Sequence, residues 1–138
     1  MSAGERLRAD FAGLRLTTGP HPMALVRPQL SELIWRSAEL SQARGGERIR
    51  IAGQVICRQR PGTAKGVCFV SLEDETGIAN AIVPPALFEA MRLTLITETF
   101  LVIEGIVQHR HRTIHIQAKT IERLDYAGLQ TSASHDFA

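Results

Sequence analysis

One stretch of the sequence combines an aromatic residue with basic side chains in an order that suits single-stranded nucleic acid. Phe69 alternates with Cys68 and Val70, which a strand would turn inward, so the pattern places Phe69 on the outer face. An exposed aromatic ring there would stack on a base and contribute about 1–3 kcal/mol. The alternative is that the N-terminal segment folds over this face and buries the ring.

A basic loop precedes Phe69 in the sequence. Arg58, Arg60 and Lys65 surround a Pro-Gly pair, and a loop of this kind between two strands of a small barrel contacts backbone phosphates. We predict that at least two of the three side chains do so, and the alternative is solvated surface charge. The loop is not a P-loop, because the glycine-lysine-serine/threonine ending before a helix is absent.

Strand alternation places four further polar side chains on the predicted face of Phe69. Arginine offers both charge and a flat stacking surface, and amide side chains can hydrogen-bond to base edges. As one set on one face, these residues extend the predicted nucleic-acid surface. They are Arg48, Arg50, Gln54 and Asn80.

The last predicted hairpin is rich in basic and histidine side chains. His109 and His111 share a strand face, which suggests a metal site, yet no cysteine or carboxylate neighbours them in the sequence. Zinc needs three or four protein ligands, so we expect no metal here. We predict instead that Arg110, Arg112 and His115 face nucleic acid.

The carboxylates Glu73, Asp74 and Glu75 raise the question of metal-assisted catalysis. Adjacent residues at a hairpin turn point in different directions, so we predict that they shape the turn and pair with nearby arginines. The sequence has no recognisable nucleophile-and-base arrangement. We therefore expect no catalysis by this chain alone, and no cofactor.

The charges are unevenly distributed, although the formal net charge is only +2. Residues 44–66 carry six basic and one acidic group, residues 67–104 carry one and six, and residues 105–120 carry three and none. Two basic regions around an acidic middle predict a focused groove, and the alternative is a mixed, solvated surface.

The two cysteines and the N-terminal sequence predict the cellular compartment of the protein. We expect Cys57 and Cys68 to face the core as free thiols in the cytoplasm, because no signal-peptide pattern opens the sequence. No apolar run approaches the length of a membrane span, so we expect no membrane partner.

From Arg48 onward the hydrophobic period is two. Gly53, in the middle of the first strand, predicts a bend or bulge. The predicted elements are strands over 48–58, 67–73 and 78–83, a helix over 85–95, and strands over 99–109 and 112–121. The order β-β-β-α-β-β is that of the OB-fold, a five-stranded Greek-key barrel in a mainly β protein.

Three regions follow from this assignment. Residues 1–46 form a helical or irregular segment, with helical patterns over 5–12 and 28–41, or a separate capped turn at 37–40 in place of part of the second. Residues 47–124 form the OB domain. Residues 125–138 are small and polar, and we expect a flexible tail.

The central run resembles a known family. Residues 58–80 read R-Q-R-P-G-T-A-K-G-V-C-F-V-S-L-E-D-E-T-G-I-A-N. This run is similar to the C-terminal OB domain of bacterial error-prone DNA polymerases, relatives of the polymerase III alpha subunit. The resemblance extends to Gly19–Met23 and to residues 134–137. The family often has an aromatic near the end of the third strand, where this chain has Val83-Pro84-Pro85.

A weaker similarity links F-V-S-L-E-D-E-T-G to anticodon-binding OB domains of class II aminoacyl-tRNA synthetases. It covers only the second and third predicted strands. In those domains the aromatic that matches Phe69 faces the nucleic acid, which supports its assignment.

The polymerase resemblance implies a role in DNA replication and repair. The family carries out damage-induced translesion synthesis as part of a mutagenic cassette, and its catalysis depends on palm-domain carboxylates and magnesium. This chain contains no palm, so the resemblance implies binding of the single-stranded template and no polymerase activity. The alternatives are a protein-interaction module that docks a polymerase accessory protein, and a non-functional remnant of a split polymerase gene.

Overall fold

The computed structural model describes residues 21–60, 66–110 and 112–129. Its N-terminal part is a short helix α1, Pro22–Val26, followed by two 3-10 turns, Arg27–Gln29 and Ser37–Gln42, around a two-residue strand β1, Ile34–Trp35. The continuous helix predicted over 28–41 is therefore wrong, and the alternative of a separate capped turn near 37–40 is confirmed. The helix predicted over 5–12 lies outside the described residues.

The remaining elements follow the predicted order, with the single predicted helix divided in two at Met91. They are strands β2 (Arg48–Gln59), β3 (Cys68–Asp74) and β4 (Gly77–Val83), helices α2 (Pro85–Ala90) and α3 (Arg92–Thr97), and strands β5 (Phe100–Arg110) and β6 (Thr113–Arg123). Within the described residues, no helix is long and apolar enough to cross a membrane.

The five long strands close into a barrel. Strands β3 and β4 pair antiparallel, β4 pairs parallel with β6, and β6 pairs antiparallel with β5. Strand β2 completes the ring because it pairs with β5 through its first half and with β3 through its second half. This topology confirms the predicted OB-fold.

A β-bulge in β2 reverses which side chains point outward. The register shifts between Val55 and Cys57, three residues after the predicted position at Gly53. Beyond the bulge, Cys57 lies opposite Ser71 and Gln59 lies opposite Phe69, so these odd-numbered residues share the outer face. The expectations that Cys57 faces the core and that Arg58 faces outward are therefore wrong.

Alternating side chains of all five barrel strands fill the interior. Val70, Leu72, Leu101 and Ile116 are among the buried core residues, and Leu95 of α3 packs with them from one end. Both cysteines are free, as predicted. Cys68 is buried in this core, and its burial raises the pKa of the thiol.

A second apolar cluster lies outside the barrel and holds the described segments on either side of it. Met23, Val26 and Ile34 pack on Ala52 and Val102 of strands β2 and β5. Further along, the ring of Tyr126 stacks on Phe100 with centroids 4.2 Å apart, and its hydroxyl donates to the carbonyl of Pro22 at 3.0 Å. Side chains from before residue 47 and from after residue 124 thus pack on the barrel. The domain boundaries at these two positions stay predictions.

The hairpin between β3 and β4 is held by the buried carboxylate of Asp74. Its Oδ1 accepts hydrogen bonds from the backbone nitrogens of Thr76 and Gly77, at 2.8 and 3.0 Å, which closes the turn. Its Oδ2 accepts from the backbone nitrogen and hydroxyl of Ser37, which ties the N-terminal segment to the turn. The prediction that Asp74 shapes the turn is confirmed.

Glu75 adds a partly buried ion pair to the same turn. Arg27 donates to both carboxylate oxygens at 2.7 and 2.9 Å, and Arg36 lies 3.3 Å away. The hydrogen bonds from Arg27 lower the pKa of Glu75 to about 2, from an ordinary 4.5. The predicted pairing of this carboxylate with arginines is confirmed, while Glu73 pairs with His21 at 3.0 Å.

We predict that Glu75→Gln lowers the free energy of unfolding by about 3 kcal/mol at neutral pH, since the depressed pKa makes the ionised carboxylate stabilising. This contribution is complete above about pH 4.5 and is lost as the pH falls toward 2. Urea unfolding across this range should show the two proteins converging at low pH. A constant difference would contradict the prediction, and Glu122→Gln on the exposed face of β6 is the control.

Candidate nucleic-acid interface

The outer surface of β3 and β4 carries the predicted aromatic. Phe69 is 39% exposed and lies opposite Gln59 on one side and Ile82 on the other. The next strand continues this row with Gln117, which is paired with Ile82. The described part of the N-terminal segment packs on Ala52 and Val102 and leaves the ring accessible.

A polar row runs beside the row of Phe69. Ser71 lies opposite Asn80, and Asn80 lies opposite His115, so the three side chains cross three neighbouring strands. The hydroxyl of Ser71 donates to Oδ1 of Asn80 at 2.8 Å, and this bond does not use the amide nitrogen of Asn80, which is a donor. The predicted site residues Asn80 and His115 thus lie on the face of Phe69.

Arg48 and Arg50 lie on a different wall of the barrel. They are paired in register with Ile106 and Glu104 of β5, and both guanidinium groups contact the carboxylate of Glu104. The hydrogen bond from Arg48, and then that from Arg50, lowers the pKa of Glu104. The prediction that Arg48 and Arg50 share the face of Phe69 is wrong, because this half of β2 pairs with β5.

Gln54 is also separated from Phe69. It lies opposite Glu73 and Phe100, the residues that contact His21 and Tyr126. Its position is therefore at the end of the sheet where His21 and Tyr126 pack, four residues along β3 from Phe69. Because Phe69, Ser71 and Glu73 alternate to the outer side of β3, Gln54 shares the face of Phe69 as predicted, but it lies at the far end of that face.

Arg58 turns toward the helical end of the barrel. Its Nε donates to the carbonyl of Leu95 and its Nη2 donates to the carbonyl of Glu98 at 3.1 Å, at the C-terminus of α3. These carbonyls have no partner within the helix, so Arg58 acts as its C-terminal cap. The bulge at 55–57 causes this orientation.

The side chain of Arg60 also turns toward the helices, and it packs against α2. Its guanidinium carbon is 4.1 Å from the ring centroid of Phe88, which is a cation–π contact. Nη2 is 3.3 Å from a carboxylate oxygen of Glu89, and Nε is 3.4 Å from the carbonyl of Gly66. Lys65, the third predicted phosphate ligand, lies outside the described residues.

The hairpin between β5 and β6 presents Arg110 and Arg112 as exposed residues. His109 binds the carbonyl of Ala43 at 2.9 Å, and His111 lies outside the described residues. Across the described ranges, no group of three or more histidine, cysteine or acidic residues is arranged to hold a metal ion.

The face also contains residues that the sequence reasoning did not assign to the site. Ile82 and Gln117 share the row of Phe69, and Ser71 orients Asn80. Gln108 belongs to the same surface, where its amide nitrogen donates to Gln117 at 2.9 Å. Alternation places Ser71 and Gln117 outward, whereas their proximity to Asn80 and Ile82 depends on strand register.

A closed five-stranded barrel with an exposed aromatic and a polar row on β3, β4 and β6 is typical of OB domains that bind nucleic acid. The family described as "OB-fold nucleic acid binding domain" matches residues 49–124, and the chain belongs to this family.

Its curated relatives are named error-prone DNA polymerase. The protein of Alkalilimnicola ehrlichii is 43% identical over 97% of this chain, and that of Dechloromonas aromatica is 41% identical over 99%. The chain spans 13% of the length of each relative. It is thus similar to one small part of these polymerases, as the sequence resemblance predicts.

A solved structure supports the fold. Asparaginyl-tRNA synthetase of Pyrococcus horikoshii, crystallised with asparaginyl-adenylate, superimposes with a TM-score of 0.58 at 21% identity. The match covers 68% of this chain and 23% of the synthetase chain. At this identity the likeness concerns the fold alone.

We predict that Arg58→Ala lowers the free energy of unfolding by about 1–3 kcal/mol, because it removes two charge-assisted hydrogen bonds from the end of α3. Chemical unfolding of wild type and variant measures this loss. Arg123→Ala, which removes an exposed arginine from β6, is the control and should change stability by less than about 0.5 kcal/mol. Equal effects of the two variants would contradict the capping role.

Proposed function

We propose that this chain is a single-stranded DNA-binding OB domain that serves an error-prone DNA polymerase. In this proposal it holds the template strand for a catalytic domain located elsewhere, during damage-induced synthesis across lesions in the cytoplasm. The proposal assigns binding and no chemical step to the chain. The observation that carries it is the exposed ring of Phe69 on the outer face of β3, bordered by the polar row of Ser71, Asn80 and His115.

The order of residues across the sheet supports a path for the strand. Phe69 lies opposite Gln59, the last residue of β2, and Arg60 is the next residue in the chain. From there the polar row crosses β4 and β6 and ends at Gln108 of β5, which lies opposite His115. Arg110 lies two residues beyond Gln108 on the same strand. A DNA strand on this path would stack a base on Phe69 and place phosphates near arginines at both ends.

The partners of the described arginines indicate which of them can bind phosphate. The arginines at the two ends of this path are the least engaged by other groups. Arg110 and Arg112 are exposed and form no ion pair with a described carboxylate, and among the described residues Arg60 has one acidic partner, Glu89. Arg48 and Arg50 share Glu104, and Arg58 is bound to helix carbonyls. We therefore assign phosphate binding first to Arg60, Arg110 and Arg112, and rank Arg48, Arg50 and Arg58 below them.

We predict that Phe69→Ala weakens binding of a fluorescein-labelled oligothymidine by about 5- to 150-fold, the equivalent of one lost stacking contact. Fluorescence anisotropy at low salt measures the affinity. Leu33→Ala removes an apolar side chain that is 80% exposed in the N-terminal segment, and this control should bind like wild type. Raising the salt concentration should weaken DNA binding by all three proteins steeply, because phosphate contacts release counterions from the DNA.

The outcomes separate the competing hypotheses. Absence of wild-type binding at low salt would contradict the proposed function and leave docking of an accessory protein as the stronger hypothesis. Binding by Phe69→Ala at wild-type strength would contradict the stacking role alone. Affinity that does not change with salt would contradict the assignment of phosphate contacts to Arg60, Arg110 and Arg112.

A further inference from the structure

We infer that Glu89 of α2 is an internal competitor of the DNA phosphate for Arg60 and restrains binding at this end of the face. The inference rests on the proposed function, because it concerns how one arginine of that surface becomes available. It depends on three contacts of the Arg60 guanidinium, two of them to adjacent residues of α2.

The first contact fixes the position of the cation. Phe88 is buried, so its ring is held by the core and provides a rigid support for the guanidinium 4.1 Å from its centroid. A cation stacked on a ring face still directs its N–H donors sideways, in the plane of the guanidinium. Phe88 thus positions Arg60 without using the donors that a phosphate needs.

The second contact uses one of these donors. Nη2 of Arg60 is 3.3 Å from Glu89, in a pair whose side chains are 41% and 60% exposed. A surface ion pair of this kind contributes at most about 1 kcal/mol. A phosphate offers bidentate, charge-assisted hydrogen bonds to the same group and can displace the carboxylate, although the neighbouring negative charge opposes it.

The third contact links Arg60 to Gly66, the next described residue along the chain. Nε of Arg60 faces the carbonyl of Gly66 at 3.4 Å, so the arginine bridges the two described ends of the loop that joins β2 and β3. Exchange of Glu89 for a phosphate leaves both Phe88 and Gly66 in place. Only the Glu89 contact has to break, and Glu89 therefore sets the cost of binding at Arg60.

Arg58 provides the contrast on the neighbouring helix. Its partners are the backbone carbonyls of Leu95 and Glu98, which lose their hydrogen bonds if Arg58 leaves. Glu89 is exposed and becomes solvated when it is released. Of the two arginines, Arg60 is therefore the exchangeable one.

We predict that Glu89→Gln tightens binding of the labelled oligothymidine about two- to fivefold at low salt, with the gain shrinking as salt rises. Glu122→Gln removes the same charge from an exposed position on β6, across from Val102, and is the matched control. In the Arg60→Ala background, Glu89→Gln should add nothing, since the cation it competes for is gone. This double-variant comparison distinguishes a pairwise effect from a change of net charge.

The failure of this inference is distinguishable from failure of the proposed function. Wild type that does not bind DNA contradicts the proposed function. If wild type binds, the inference is overturned by any of three results: unchanged affinity of Glu89→Gln, an equal gain in Glu122→Gln, or a gain that persists in Arg60→Ala/Glu89→Gln. Chemical unfolding of each variant confirms that the folded protein is being compared.

Discussion

The structure depends on one strand that must satisfy two neighbours. Strand β2 pairs with β5 through its first half and with β3 through its second half, and this double pairing closes the barrel. The strand bends between the two partners, and the bulge at 55–57 accommodates the change. Because the bulge inserts one residue, it exchanges the inner and outer sides of the strand. Gln59 therefore joins Phe69 on the outer face, while Arg58 and Arg60 turn toward the helices that cover one end of the barrel.

The same constraint gives the arginines before and after the bulge different neighbours. Arg48 and Arg50 precede the bulge and share Glu104, whereas Arg58 and Arg60 follow it and bind α3 and α2. Arg27 and Arg36 of the N-terminal segment pair with Glu75 and hold that segment on the hairpin of β3 and β4. A basic stretch of sequence thus becomes several locally neutralised sites. The charge available to DNA is set by these partners more than by the number of basic residues.

The fold was predictable because its strands obey a period of two and its helix follows the third strand, as the OB topology requires. The outward position of Phe69 was predictable for the same reason, since it alternates with the buried Cys68 and Val70. The bulge was not, because Gly53 gave the stronger local signal while the register shift lies at 55–57. The one residue that the bulge inserts moves Arg58 off the predicted face. Arg48 and Arg50 were misplaced because alternation gives the side of a strand but not the neighbouring strand.

Amide chemical-shift mapping with single-stranded DNA tests the location of the binding face most directly. On addition of an oligothymidine to ¹⁵N-labelled protein, we predict the largest shifts on β3, β4 and β6, at Phe69, Asn80 and His115, with smaller ones at the β5–β6 hairpin. We predict little change around Arg50 and Glu104, on the wall that the first half of β2 forms with β5. Shifts concentrated on that wall, or an absence of shifts at low salt, would contradict the account.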